Sequence, residues 1–243
     1  MANIVDWSDP PRDFSLNANE AHIWRAQLDV GPHLLSQLST YLSAEETNRA
    51  KQFVFPRDRD HFVAARGILR ELLGRCSAHS PASICFSQGP HGKPFLVGKL
   101  AESSMRFNIS HSHGWALFAI TLGNEVGIDI ERIRPEVAKE EIAERYFSTP
   151  ERDEFRGLPS ELRVEAFFLC WTSKEAYVKA RGAGLQLPLD SFDVALVPGH
   201  PATLRSDDQE RWDLRSFAAA PEYVAALAVE RTIERTYFWE YRG

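Results

Sequence analysis

Three acidic side chains of this sequence have the type and spacing to do chemistry. Asp129 and Glu131 stand two residues apart in the apolar run VGIDIE at 126–131. Successive strand residues point to opposite faces, so Val126, Ile128 and Ile130 share one face and Gly127, Asp129 and Glu131 the other. The two acids are then rooted about 7 Å apart on one side of a strand. The plain reading is a carboxylate pair on the wet face of a half-buried sheet. The chemical reading is a divalent-cation site, which needs a third hard oxygen ligand from elsewhere in the chain.

A third carboxylate stands in FFLCWTSKEAYVKARG, at 167–182. Helical spacing by three and four aligns Val164, Phe168, Trp171, Glu175 and Val178. The other four are apolar, so Glu175 points where a core is expected. A buried, unpaired carboxylate costs several kcal/mol and normally protonates or finds a cation. An ion pair with Lys179, one turn on, is the simple partner, and if exposed it contributes only about 0.3–0.5 kcal/mol. Convergence of Glu175 with Asp129 and Glu131 would instead supply the oxygen ligands Mg²⁺ prefers, with positions left for water and phosphate. Lys174 and Lys179 would flank such a site as phosphate contacts.

Other polar groups are weaker candidates. Ser110 beside His111 suggests a nucleophile and its base, but neighbouring strand residues face opposite ways. His111 and His113 share a strand face as a metal pair would, with no third histidine at a helpful spacing. Arg59, Arg66 and Arg70 form a basic helical stripe, balanced by Asp58, Asp60 and Glu71.

The elements that must carry these groups fall into two similar halves. In the first, a strand at 22–28 leads to a helix that starts at a Ser43/Glu46 capping box and runs through Phe53. Pro56 breaks it, and a second helix covers 57–75 with Phe62, Ala65, Leu69, Leu72 and Leu73 on its apolar face. Strands follow at 84–86, 105–109 and 115–120, and a turn at 122–125 introduces VGIDIE. The second half has helices at 137–146, 150–155 and 161–181, then strands at 191–194, 212–216, 223–229 and 236–239. FNISHSHGWALFAI and LRSFAAAPEYVAALAV echo one another at matching places in the two halves. The pattern predicts two α+β lobes, each an antiparallel sheet packed on helices, divided as 1–122 and 123–243.

Composition sets the class. With 44% hydrophobic and 26% charged residues over 243 positions, the chain is an ordinary globular one. No window approaches the roughly 18 apolar residues of a membrane span. The N-terminal stretch lacks the basic-then-apolar order of a signal peptide. Cys76, Cys85 and Cys170 are widely spaced, which argues against a disulfide framework and a thiolate zinc site. A reduced, cytoplasmic protein is expected. A net charge of −6 weighs against a nucleic-acid role, yet leaves room for a local basic pocket holding one small phosphorylated ligand.

VGIDIE followed by WTSKEAYVKARGAGL resembles the paired signature of the 4′-phosphopantetheinyl transferases in their long, surfactin-synthetase-activating form. HGKP at 91–94, FNISHS at 107–112 and LPLDSF at 187–192 resemble further motifs of that family, in its order. The resemblance covers about residues 57–195; outside it only the general layout is similar. It implies a pseudo-dimer of two α+β lobes with coenzyme A in the cleft between them. It implies Mg²⁺-dependent transfer of the phosphopantetheine arm to a serine of an apo acyl or peptidyl carrier protein, releasing adenosine 3′,5′-bisphosphate. Asp129, Glu131 and Glu175 take the metal positions. Lys179, with Lys174 beside it, takes the coenzyme-phosphate position, Ser110 and His111 the 3′-phosphate end, and Lys93 the nucleotide end. Arg66 is a further phosphate contact, and Glu131, Glu175 or Glu151 the base. Thr149-Pro150-Glu151 is also an ordinary helix start that favours an acid. The expected partners are coenzyme A and a carrier protein, with no nucleic acid or membrane, and a monomer is expected. The rival readings are a Mg²⁺-dependent phosphohydrolase and a non-catalytic module that binds coenzyme A or carrier protein.

Overall fold

A computed structural model describes residues 3–11, 15–200, 202–206, 208–231 and 233–243. The chain runs through β1 (Asn3–Ile4), β2 (Glu20–Gln27), α1 (Pro32–Ser39), α2 (Ala44–Ala50), α3 (Pro56–Ser77), β3 (Cys85–Gln88), β4 (Pro94–Val97), β5 (Met105–Ser112) and β6 (Trp115–Leu122). It continues through β7 (Val126–Arg132), α4 (Glu140–Tyr146), α5 (Thr149–Gly157), α6 (Ser160–Arg181), β8 (Asp193–Val194), β9 (Leu204–Arg205), β10 (Trp212–Ala220), β11 (Tyr223–Glu230) and β12 (Arg235–Glu240).

Two four-stranded sheets form the body, ordered β12-β2-β6-β5 and β1-β10-β11-β7. Within each, the strand that precedes the helices pairs with the last strand of the following hairpin: β2 with β6, and β7 with β11. The two echoing sequence stretches are these hairpins, β5–β6 and β10–β11. The α+β pseudo-dimer read from the sequence is therefore present. The terminal strands cross over. β12 lies parallel to β2 in the first lobe's sheet, and β1 lies parallel to β10 in the second's. A cut at 122/123 leaves each of them in the opposite lobe.

The sheets pack face to face, with a helix on each outer side. Ile23, Leu117, Ile128, Ile130, Phe217 and Leu227 fill the space between them. Ile68, Leu69 and Leu72 of α3 cover the first sheet, and Phe167, Cys170 and Ala176 of α6 cover the second. Inner strands buried on both faces explain why WALFAITL and YVAALAV read as continuous apolar runs. Two helices missed by, or shorter than, the sequence reading have local causes. α1 starts at Pro32 after an extended Gly31. α2 keeps its Ser43/Glu46 capping box but ends at Ala50, short of Phe53.

Candidate active site

The site begins at Gly127. A Cβ there would fall inside van der Waals contact with the Ala176 carbonyl and the Ala180 amide. Only glycine lets α6 lie this close on β7. The contact brings Glu175 and Lys179 of α6 over the strand face that carries Asp129 and Glu131. Strand alternation runs as expected, with Val126, Ile128 and Ile130 in the core between the sheets. The opposite face is therefore under α6 and not in water.

Asp129 is buried. Its Oδ1 accepts from Lys179 Nζ at 2.6 Å and from Ser110 Oγ at 2.8 Å. Its Oδ2 is buried and has no hydrogen-bond partner. Lys179 thus pairs with Asp129 and not with Glu175, its neighbour one turn back. Glu131 Oε2 accepts from Ser112 Oγ at 2.8 Å. Burial pushes the Glu131 carboxyl up; the Ser112 hydroxyl opposes this, and the Asp129 charge adds to it. Glu175 is pushed up by burial first and then by Asp129; Lys179 pulls it down, and Glu131 raises it further. The three carboxylates feel one another's charge.

A cleft between the lobes has two adjoining chambers, one of which opens onto this cluster. One, of about 720 Å³, has Glu175 and Lys179 in its wall beside Tyr146, Trp171, Val178 and Leu187. The other, of about 1180 Å³, is walled by Arg57, His61, Arg66, Phe86, His111 and Arg132. Gly92, Pro94 and Ile109 border both. One chamber is apolar with an ionic end, and the other is basic with an aromatic wall. Such a pair suits a long ligand with a neutral arm and a polyphosphate end.

Residues 125–228 match the 4′-phosphopantetheinyl transferase superfamily, and residues 29–122 match the 4′-phosphopantetheinyl transferase N-terminal family. The chain is 38% identical over 235 residues to the 4′-phosphopantetheinyl transferase HetI of Nostoc sp., covering 97% of this chain and 98% of that protein. It is 32% identical to a 4′-phosphopantetheinyl transferase of Bacillus subtilis, over 76% of this chain and 81% of that one. With the Sfp transferase of Bacillus subtilis strain 168 it shares 29% identity, over 77% and 82% of the two chains. The chain belongs to the 4′-phosphopantetheinyl transferase superfamily. It is therefore an enzyme of the phosphopantetheinyl-transferring type, and no helix among its described residues is long and apolar enough to cross a membrane.

Several side chains of the transferase stand elsewhere than the sequence suggested. Lys174 is fully buried: its Nζ donates to Leu189 O at 2.6 Å and Phe192 O at 2.5 Å and pairs with Glu151 Oε2 at 2.8 Å. A lysine with no exposed surface and three acceptors does not reach a coenzyme phosphate. Glu151 is equally buried. It closes a capping box with Ser148 at the start of α5 and accepts from Val194 N at 2.7 Å. Its oxygens are consumed, so the helix-start reading replaces the base. Ser110 is buried too, with its hydroxyl engaged by Asp129, Lys179 and Ile130 N, so it does not present itself to a 3′-phosphate.

Lys93 borders the apolar chamber, but its ammonium sits on Ala180 O at 2.8 Å and Glu125 Oε2 at 2.7 Å, where it caps the end of α6. Arg66 lines the basic chamber while holding Glu46 Oε1 at 2.7 Å, and Arg70 is buried against the same carboxylate. His111 is exposed on the wall of the basic chamber, opposite in facing to Ser110 as strand alternation requires. Its imidazole is pushed down by the crowded wall and then by the Lys179 charge.

Among the described residues, no three His, Cys, Asp or Glu side chains form a ready-made metal cage. The donor chemistry still fits a hard cation. Asp129 Oδ2 is a buried carboxylate oxygen with no partner, and Glu131 and Glu175 are both raised partly by Asp129, a repulsion that a divalent ion would relieve. Mg²⁺ commonly takes only one or two carboxylates, with substrate phosphate and water completing the octahedron.

Proposed function

We propose that the protein transfers 4′-phosphopantetheine from coenzyme A to a serine of an apo carrier protein in a Mg²⁺-dependent reaction that releases adenosine 3′,5′-bisphosphate. The observation that carries this is the meeting of Asp129, Glu131, Glu175 and Lys179 beside an apolar chamber that adjoins a basic one, with Glu175 and Lys179 in the apolar chamber's wall. Asp129, Glu131 and Glu175 would hold Mg²⁺. When bound, Mg²⁺ supplies charge neutralisation for the pyrophosphate and its leaving oxygen.

The chain's own groups carry the rest. The apolar chamber takes the pantetheine arm along Trp171 and Tyr146, and the basic chamber takes the nucleotide, with His111 and Arg66 in its wall. Lys179, nearly a third exposed, offsets phosphate charge as the carrier serine approaches in line. The serine Oγ–H gives its proton to a site carboxylate as the Oγ–P bond forms. The pyrophosphate P–O bond breaks, and its electron pair leaves with adenosine 3′,5′-bisphosphate. Glu131 and Glu175 are the candidates for that carboxylate, and Glu175 stands in the chamber wall.

The test is incubation with coenzyme A, Mg²⁺ and a panel of apo carriers, read by intact mass and by chromatography of the nucleotide product. One added phosphopantetheinyl group and stoichiometric adenosine 3′,5′-bisphosphate are expected, with chelation stopping both. Asp129→Asn should lower kcat by more than about a hundredfold. Undiminished turnover of that variant with Mg²⁺ as sole metal refutes the assignment, and free phosphopantetheine without carrier modification would indicate hydrolysis.

A further inference from the structure

The edges of the two sheets meet where β5 of one lies beside β7 of the other, and side chains join them in place of a backbone ladder. Asn108 Oδ1 accepts from Ile128 N at 3.0 Å. Ser110 Oγ accepts from Ile130 N at 3.4 Å, and Ser112 Oγ from Arg132 N at 3.3 Å. Asn108, Ser110 and Ser112 recur every second residue, so all three project from one face of β5 towards every second amide of β7.

Two of the three contacts do more. Ser110 Oγ also donates to Asp129 Oδ1, and Ser112 Oγ to Glu131 Oε2, each at 2.8 Å. The unit repeats: a hydroxyl accepts from one β7 amide and donates to the carboxylate just before it. At the third position the preceding residue is Gly127, and Asn108 offers only its acceptor. The direction of the Ser110 bond is forced. Its oxygen accepts from both Ile130 N and Lys179 Nζ, the latter at 3.0 Å, which leaves its single proton for Asp129. With Oδ1 held by Ser110 and Lys179, the buried, partnerless Oδ2 is the oxygen left for a cation.

We propose that Ser110 and Ser112 are positioning residues that aim Asp129 and Glu131 at the metal, while Asn108 serves only the seam. The proposal rests on the metal-dependent transfer put forward above. The sequence alone points to no role for Ser112, and the family resemblance implies a coenzyme-phosphate contact for Ser110 instead. Groups that orient a metal ligand act on metal affinity and on kcat rather than on coenzyme binding.

The test is Mn²⁺ binding followed by electron paramagnetic resonance, in the presence of coenzyme A, on the full chain. Ser112→Ala is expected to weaken Mn²⁺ binding about 10- to 100-fold. Ser112→Thr, which keeps the hydroxyl, should restore most of the affinity. KM for coenzyme A at saturating metal should move little in either variant. Ser110→Ala repeats the measurement at Asp129, which keeps the test open if Ser112→Ala does not fold. Asn108→Ala should lower the melting temperature without weakening Mn²⁺ binding. If it weakens Mn²⁺ binding as much as Ser112→Ala does, the seam acts only as a structural joint and the aiming role falls. The same role falls if both serine variants bind Mn²⁺ like the wild type while Asp129→Asn has lost it, an outcome that leaves the metal reading standing. A raised coenzyme KM with intact Mn²⁺ affinity in Ser110→Ala also overturns it. Wild-type protein that binds no Mn²⁺ overturns both readings together.

Discussion

At the scale of single residues, two adjacent side chains of α6 have opposite fates. Glu175 borders the cleft, whereas Lys174 is buried against Glu151, which is equally shielded from water. Removing one member of a buried ion pair leaves an uncompensated charge and costs about 3–5 kcal/mol. Lys174→Met should therefore lower the melting temperature by roughly 6–20 °C for a chain of this size. A Lys174→Met/Glu151→Leu double variant should recover part of that loss, and calorimetry of both decides it. A Lys174→Met protein with unchanged melting temperature and a much raised coenzyme KM would return Lys174 to the cleft. The meeting of the three acids could be read in advance because their signal is local periodicity: two in a strand and three-and-four in a helix. Lys174 could not. Its acceptors at Leu189 and Phe192 lie in a loop whose path no spacing on α6 reveals. Glu151 matches a motif position and a helix-start position at once, and its burial against Lys174 and Val194 N separates them.

At the scale of elements, the site depends on one helix lying unusually close to one strand. Gly127 permits that approach, and Lys93, with Gly182 in the left-handed conformation, finishes the helix end. Gly127→Ala must push α6 away from β7, which separates Glu175 and Lys179 from Asp129. A displacement near 1 Å at a reacting centre can cost about a hundredfold in rate. The expected result is a kcat loss of about that size in the carrier-modification assay, with a lowered melting temperature. Wild-type kcat in a folded Gly127→Ala protein would show that the helix–strand distance does not set the chemistry. VGIDIE therefore carries three features on one strand: a core face, a close-packing glycine and the two carboxylates of the site. The matching signal in FNISHS is a second period-two pattern, Asn-x-Ser-x-Ser. Its partner becomes visible only once β5 and β7 lie side by side. Neither stretch alone points to Ser112.

At the scale of the whole molecule, the crossed termini tie each lobe to the other end of the chain. Pairing between β2 and β12 joins residues more than two hundred apart, beyond what any sequence window can show. The clasp has a titratable centre. His22 is buried opposite Tyr237, its ring stacked on that tyrosine at 4.8 Å between centroids, and its Nδ1 accepts from Trp239 Nε1 at 3.1 Å. An Nδ1 that accepts is unprotonated, so the clasp requires neutral imidazole. Burial pushes the His22 pKa down, and Glu20, 3.6 Å from Nε2, only partly offsets it. Below the ordinary histidine value the unfolded chain takes up a proton that the folded chain refuses. Stability from His22 is therefore complete above that value and drains away as pH falls towards the lowered one, with a slope of at most about 1.4 kcal/mol per pH unit. The melting temperature should drop between about pH 7 and pH 5. His22→Gln keeps an acceptor but has no proton to gain in that range, so it should flatten the drop while lowering stability at neutral pH. An identical pH slope in the two proteins would place the titrating group elsewhere and leave the clasp insensitive to pH.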